Sequence, residues 1–322
     1  MSRPILILAL FAVLGAISLG LGLVVGSVPL SAADVAGALA GDASSPVGAI
    51  VLQVRLPRVL AGFACGGLLA LAGALLQVLL RNPLADPYVL GISGGAGLGL
   101  LAATSLGVGY AGSQLAGLAG ALLAVLTVFG LSFRAGDWNL YRLLLTGVVF
   151  SAGCSALISL ILLLAPQTAV KGMLFWMLGD LSDATSPQWA WLALATCGAA
   201  SVLGSGALNV MLLGRRKAIS LGVPVASAEV VIYLIASAAT VTSVSLAGTV
   251  GFVGLIVPHL VRLLGVTDYR WLIPSAILAG GALLSLADTA ARSLWAPLQI
   301  PVGALTALLG VPVVLLLLAR RR

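Results

Sequence analysis

Long apolar stretches, each near the length needed to cross a lipid bilayer, recur from one end of this chain to the other, and the charged residues fall almost entirely in the gaps between them. Apolar residues make up 61% of the 322 residues and charged residues 8%. A soluble domain of that length needs a charged surface that this composition does not supply. Lipid is therefore the solvent. Because lipid cannot satisfy an open backbone, the apolar stretches are helices.

A helix needs about 20 apolar residues to span the hydrocarbon core. Such stretches lie near 4–26, 48–80, 88–105, 111–133, 140–165, 187–207, 227–247, 251–265, 271–294 and 303–319. The expectation is an all-α polytopic membrane protein with ten transmembrane helices, a single transmembrane domain over 1–322. The second stretch is long enough to tilt or project. The eighth is short and follows Gly248, Gly251 and Gly254, which predicts a partly broken helix.

Ten spans put both termini on one side. With the N-terminus inside, Arg3, Arg81, Arg134, Arg142, Arg215, Arg216, Lys217, Arg262, Arg270, Arg320, Arg321 and Arg322 are cytoplasmic, 12 of the 16 basic residues. Arg55, Arg58, Lys171 and Arg292 fall outside. The positive-inside rule thus predicts N-in/C-in. It also accounts for the net charge of +7 without any nucleic acid. Trp138, Trp176, Trp189, Trp271 and Trp295 lie near span ends, as an interfacial belt requires. The first apolar run, Ile5 to Val25, exceeds a signal-peptide core of about 7–15 residues and is expected to be retained. Cys65, Cys154 and Cys197 sit in apolar stretches, where packing is their expected role. Gly66-Gly67, Gly94-Gly95 and Gly280-Gly281 are read as close helix contacts, which small residues permit in lipid.

Several chemistries lack their residues. Neither lysine, Lys171 or Lys217, follows a glycine, so the chain holds no phosphate-binding Gly-Lys-Ser/Thr loop. The single histidine, His259, has no Cys, His or acidic neighbour at metal-ligand spacing, so no metal site is expected. Of nine acidic residues only Glu229 and Asp288 lie within spans, both near ends. A proton- or sodium-coupled carrier needs more ionisable groups than that. A transporter without coupling groups has to draw its energy from a partner.

Certain motifs then recur in order. Arg55-Leu56-Pro57-Arg58 precedes Leu69-Ala70-Leu71-Ala72-Gly73-Ala74-Leu75-Leu76-Gln77. Arg81-Asn82-Pro83-Leu84-Ala85-Asp86-Pro87 leads into Leu90-Gly91-Ile92-Ser93-Gly94-Gly95-Ala96. Further on stand Leu246-Ala247-Gly248-Thr249-Val250-Gly251-Phe252-Val253-Gly254, then Pro258-His259, Ala287-Asp288-Thr289-Ala290-Ala291-Arg292, and Ile300-Pro301-Val302-Gly303. Over nearly the full length this series resembles the FecCD family, the permease subunits of type II ABC importers for iron-siderophores, haem and cobalamin.

The resemblance implies the ten-span type II ABC importer permease fold and a homodimer in the bacterial inner membrane. Two copies of a separate ABC ATPase would dock on the cytoplasmic face and a periplasmic substrate-binding protein on the outer face. The chain itself would bind no cofactor and catalyse no covalent chemistry, ATP and Mg being used by the ATPase. The implied activity is alternating-access import of a metal chelate from periplasm to cytoplasm. The rival reading is a stand-alone secondary carrier for a small hydrophobic or chelated solute. An intramembrane enzyme would need a nucleophile–base pair or a metal cluster.

Residue by residue, Arg55 and Arg58 share a helix face at three-residue spacing. Alone, they read as snorkelling interfacial cations or as a positive patch that steers an acidic partner. The resemblance implies that, with Arg292, they pair with glutamates of the binding protein, and Asp288 is expected to orient Arg292 from one helical turn away. The segment 209–225 reads as an inside-facing basic loop beside anionic lipid, or as a short helix bounded by Gly214, Gly222 and Pro224. The resemblance makes it the ATPase-coupling helix, with Leu213, Arg215, Arg216, Ala218, Ile219 and Leu221 in contact. Relatives commonly carry acidic residues just after the Leu-Gly, so Arg215 and Arg216 predict a more acidic ATPase cleft here. Residues 81–87 punctuate two spans. By resemblance Asn82 and Leu84 form a cytoplasmic gate, with Asn139, Leu140 and Tyr141 forming another. Segment 168–179 resembles a short external helix whose Met173, Phe175, Trp176 and Met177 cover a cavity, touch the binding protein or sit in the interface.

Overall fold

The computed structural model describes residues 3–41, 45–134, 137–184 and 186–319. Arg320, Arg321 and Arg322, counted above among the inside cations, lie outside the described residues. So do the side chains of Arg134 and Trp138.

Among the described residues the regular structure is helical apart from one antiparallel hairpin, in which Phe133–Arg134 pairs with Asp137–Trp138. The helices are α1 (Arg3–Val24), α2 (Ala32–Leu39), α3 (Pro46–Ala49), α4 (Leu56–Leu79), α5 (Ile92–Ser105), α6 (Tyr110–Ser132), α7 (Leu140–Leu164) and α8 (Gln167–Met177). They continue as α9 (Gln188–Leu203), α10 (Ser205–Met211), α11 (Arg215–Ser220), α12 (Val225–Ala247), α13 (Val253–Leu263), α14 (Tyr269–Ser293) and α15 (Val302–Ala319). A π-helical stretch, Ile50–Arg55, joins α3 to α4, and a 3-10 turn, Pro87–Leu90, leads into α5.

Six continuous helical runs are long and apolar enough to cross a membrane: α1, Pro46–Leu79, α6, α7, α12 and α14. A seventh arises if α9 and α10, bent by 61°, form one broken span. Helices α5, α13 and α15 are apolar but shorter. Every predicted stretch falls on one of these helices, so the chain is a multi-pass membrane protein. The predicted break before the eighth stretch is present. Residues 248–252 are not helical, Phe252 has φ 70°, and α13 has only 11 residues, with Pro258 inside it.

Helix α4 is the axis of the fold, almost wholly enclosed by α12, α13, α14 and α9. Burial of apolar surface does not drive this in lipid, where the tails are as apolar as leucine; close packing does. The glycines supply it. A methyl group on Gly66 would overlap the Gly280 carbonyl, and one on Gly73 would overlap the backbone of Gly254. The same relation holds for Gly95 and Gly120, which join α5 to α6. The reading of Gly66 and Gly280 as packing residues is therefore correct.

The chain's polar groups collect at the two ends of this bundle. At one end stand the start of α4, the end of α14 and the end of α1. At the other stand α11, the start of α12 and the start of α14. The caps of the second end are local. Asp268 caps α14 by accepting from the Arg270 N–H at 2.9 Å, and Asn209 donates to the same carboxylate at 2.8 Å. These bonds hold the Asp268 carboxyl below its usual pKa.

Candidate functional site

Arg55, Arg58 and Arg292 come together at the first end. Their setting differs from expectation. All three are buried, at 3%, 7% and 6% exposure. Arg55 donates to the carbonyls of Leu23 and Val24, each at 2.7 Å, and to that of Val28. Arg292 donates to the Gly22 carbonyl. A helix leaves its last four carbonyls without partners, and cations are favourable there. Two arginines thus close the C-terminal end of α1. Snorkelling toward the interface, the plain reading of Arg55 and Arg58, does not describe these buried side chains, and the unpaired end of α1 is what holds Arg55 inward.

Asp288 also differs from expectation. Its carboxylate accepts from Arg58 at 2.8 and 3.0 Å, while the Arg292 Nε stands 3.7 Å away. The carboxylate sits between both cations and is held chiefly by Arg58, across the α4–α14 contact, instead of orienting only its helical neighbour. The remaining Arg58 nitrogen donates to Gln299 Oε1 at 3.2 Å.

Gln299 belongs in turn to the wall of a cavity of about 1000 Å³. Tyr110, Gln114, Trp176, Asp180 and Asp183 line it as well. Of the four residues for which a cavity, the binding protein or the interface was the expected contact, Met173, Phe175 and Trp176 line this cavity from the short helix α8. Met177 is not in the wall; its carbonyl accepts from Thr249 instead. Sequence reasoning missed Gln299, Asp180, Asp183 and Tyr110. The only signal was that both aspartates fall in the polar interruption at 166–187.

At the opposite end the predicted short helix is α11. Gly214 and Gly222 bound it with φ of 100° and 83°, values that favour glycine. Leu213, Arg216, Lys217, Ile219, Leu221, Gly222 and Pro224 are exposed. Ala218 is fully buried and packs inward, which removes it from the expected partner contacts. Arg215 also turns back toward the chain, 3.2 Å from the buried Glu229 of α12.

The proposed gate residues are held locally. Asn82 is exposed, and its Oδ1 accepts from the Leu84 N–H at 3.0 Å. Asn139 caps α7 by accepting from the Arg142 N–H at 3.0 Å; Leu140 is half-buried and Tyr141 exposed. Among the described residues no group of three or more His, Cys, Asp or Glu side chains could hold a metal ion.

With this geometry in view, comparison with known proteins decides the family. The model of the FecCD transport family matches residues 10–320. The chain belongs to the FecCD transport family. The vitamin B12 import system permease protein BtuC of Escherichia coli O17:K52:H18 (strain UMN026 / ExPEC) is 39% identical over 285 residues, 87% of either chain. BtuC of Shigella boydii serotype 18 (strain CDC 3083-94 / BS512) is 39% identical over 287 residues, 88% of this chain and 87% of its own. A solved structure described as an inward-facing metal-chelate type ABC transporter superposes with TM-score 0.82 at 29% identity, covering 99% of each chain. PsaBC from Streptococcus pneumoniae, in complex with Fab, shares the fold at TM-score 0.54 and 16% identity, covering 83% of this chain and 91% of its own. This FecCD protein is a transport component and not an enzyme, and the resemblance read from its ordered motifs is correct.

Proposed function

We propose that this chain is the permease subunit of an ATP-driven ABC importer of the type II class, moving a metal chelate from periplasm to cytoplasm across a bacterial inner membrane by alternating access. The observation that carries this reading is the family match across residues 10–320. The relatives named for vitamin B12 import favour cobalamin among the chelates, with ferric siderophores and haem as the alternatives.

The reading includes ten spans, with α5, α13 and α15 as short crossings and α9–α10 as one bent crossing. It places both termini and α11 in the cytoplasm and the arginine cluster outside. Two copies of the chain enclose the path, two ATPase subunits press on the α11 side, and a binding protein docks on the other. Arg58 and Arg292 share the Asp288 carboxylate while Arg55 is held by backbone carbonyls alone, which leaves positive charge at this end to steer acidic groups of that protein. Docking then exchanges α1 carbonyls for receptor carboxylates around Arg55 and Arg292. The residues 82–84 and 139–141 act as gates on the cytoplasmic side. A secondary carrier finds little support, because Glu229 and Asp288 are both engaged in ion pairs.

The test is uptake by proteoliposomes holding this chain with its ATPase, supplied outside with binding protein and labelled cyanocobalamin, haem or a ferric siderophore. ATP-dependent accumulation of one chelate is expected. Uptake that proceeds equally without ATPase would overturn the reading.

A further inference from the structure

Helix α12 is set apart by its composition from the other long spanning helices described. Its 23 residues contain neither glycine nor proline, whereas each of α1, α4, α6, α7 and α14 contains at least one. Glycine lowers helix stability and proline kinks the helix, so a helix free of both moves as a rod. At about 1.5 Å per residue the rod is roughly 35 Å long.

Both of its ends are clipped. At the start, Glu229 is almost wholly buried and accepts from Arg215 of α11 at 3.2 and 3.3 Å. A charge-assisted hydrogen bond to a buried carboxylate is among the stronger polar contacts available to a protein. Buried Ala218, also on α11, adds packing inward. In the middle, the Tyr233 hydroxyl donates to the Val125 carbonyl of α6 at 2.8 Å. At the far end, the Ala247 carbonyl accepts from the Asp180 N–H at 2.9 Å, Gly248 lies against the Trp176 carbonyl, and Thr249 donates to Met177. Trp176, Asp180 and Leu246 are wall residues of the cavity. A rod therefore runs from the exposed basic helix at one end of the bundle to the cavity wall at the other.

We infer that the Arg215–Glu229 pair is the clip through which displacement of α11 reaches α12 and, along it, the cavity wall. Glu229 and Arg215 are positioning residues for transport: they touch no chelate and pass on movement. The inference rests on the reading of α11 as the ATPase contact. It also explains why a basic pair follows Leu213-Gly214. Arg215 serves the clip, and Arg216 with Lys217 faces outward.

The test uses the full assembly in proteoliposomes and reads chelate taken up per ATP hydrolysed. Glu229→Gln keeps the side-chain volume and removes the charge. It is expected to leave assembly with the ATPase intact and to lower the uptake ratio at least about tenfold, within the range of typical coupling between sites. The swap of Arg215→Glu with Glu229→Arg is expected to recover most of the ratio lost in either single variant. If Glu229→Gln fails to fold, Arg215→Gln carries the same measurement from the half-exposed side. A wild-type ratio in Glu229→Gln, or in Arg215→Gln where that variant stands in, overturns the inference, as does a swap no better than its singles. Failure of the underlying function looks different: the unaltered chain would then assemble with no ATPase at all.

Discussion

Arginines at the two ends of this bundle are put to opposite uses. Where α1 and α14 finish, Arg55, Arg58 and Arg292 are buried and spend their donors on Asp288, Gln299 and carbonyls at the end of α1. On α11 itself, Arg216 and Lys217 stand exposed, and Arg215 turns back to Glu229. The difference follows from what surrounds each group. An unpaired helix end and a buried carboxylate draw guanidiniums inward, while a six-residue helix bounded by glycines offers few internal acceptors. The arginines of one end are therefore taken up by the fold, whereas α11 at the other keeps an exposed basic face and is tied inward through Arg215 and buried Ala218.

The largest expected effect lies at the buried end. Asp288→Ala leaves Arg58 and Arg292 without their carboxylate, and breaking a buried pair in this way costs about 3–5 kcal/mol. Thermal unfolding of the purified protein in detergent should show a large drop in midpoint. Arg216→Ala should change the midpoint hardly at all, since exposed substitutions stay within about 0.5 kcal/mol. Equal losses in the two variants would erase the contrast between the ends.

Next comes the packing that holds the arginine end in register. Gly66→Ala places a methyl group on the Gly280 carbonyl and should cost about 1–3 kcal/mol by overpacking, read in the same unfolding assay. A smaller effect on stability and a large one on partnership are expected for Ile219→Ser with Leu221→Ser. Both side chains are exposed, so folding should persist while co-purification with the ATPase fails. Retained co-purification would move the contact elsewhere on that face.

A smaller effect than the loss of Asp288 is expected at the cap of α14. Asp268→Ala removes one N-cap, worth about 0.5–2 kcal/mol. Its carboxyl titrates below the usual carboxylate value in the folded chain. The sign follows from that: the cap contributes in full above the ordinary carboxylate pKa near 3.8 and is lost as pH falls through the lower folded value. The variant and the parent should converge in stability toward acid pH. A gap that stays constant down to pH about 2 would contradict the cap.

Much of the fold was legible in the chain because lipid imposes a simple code. Each apolar stretch became a helix, residues 248–252 became a break, and Gly214 and Gly222 bounded a short helix where their backbone angles require. The membrane count was less legible, since α5, α13 and α15 are helical but short, and length alone supports six or seven crossings. The site was half legible. Helical spacing paired Arg55 with Arg58 and Asp288 with Arg292, and the family resemblance joined the two pairs, yet nothing in one dimension shows that the end of α1 lies beside them and takes their donors. Glu229 was visible as an acid near a span end, but its partner fourteen positions earlier, on a different helix, emerges only in the fold. Short periodic signals survive in a sequence; contacts set by how helices stack do not.

The central claim is that this FecCD protein is a gated path driven by a separate ATPase. Its most direct test is chelate accumulation in vesicles containing the chain alone, then the chain with its ATPase and ATP. The account predicts no uphill accumulation in the first case and accumulation in the second. Uphill uptake by the chain alone would contradict it.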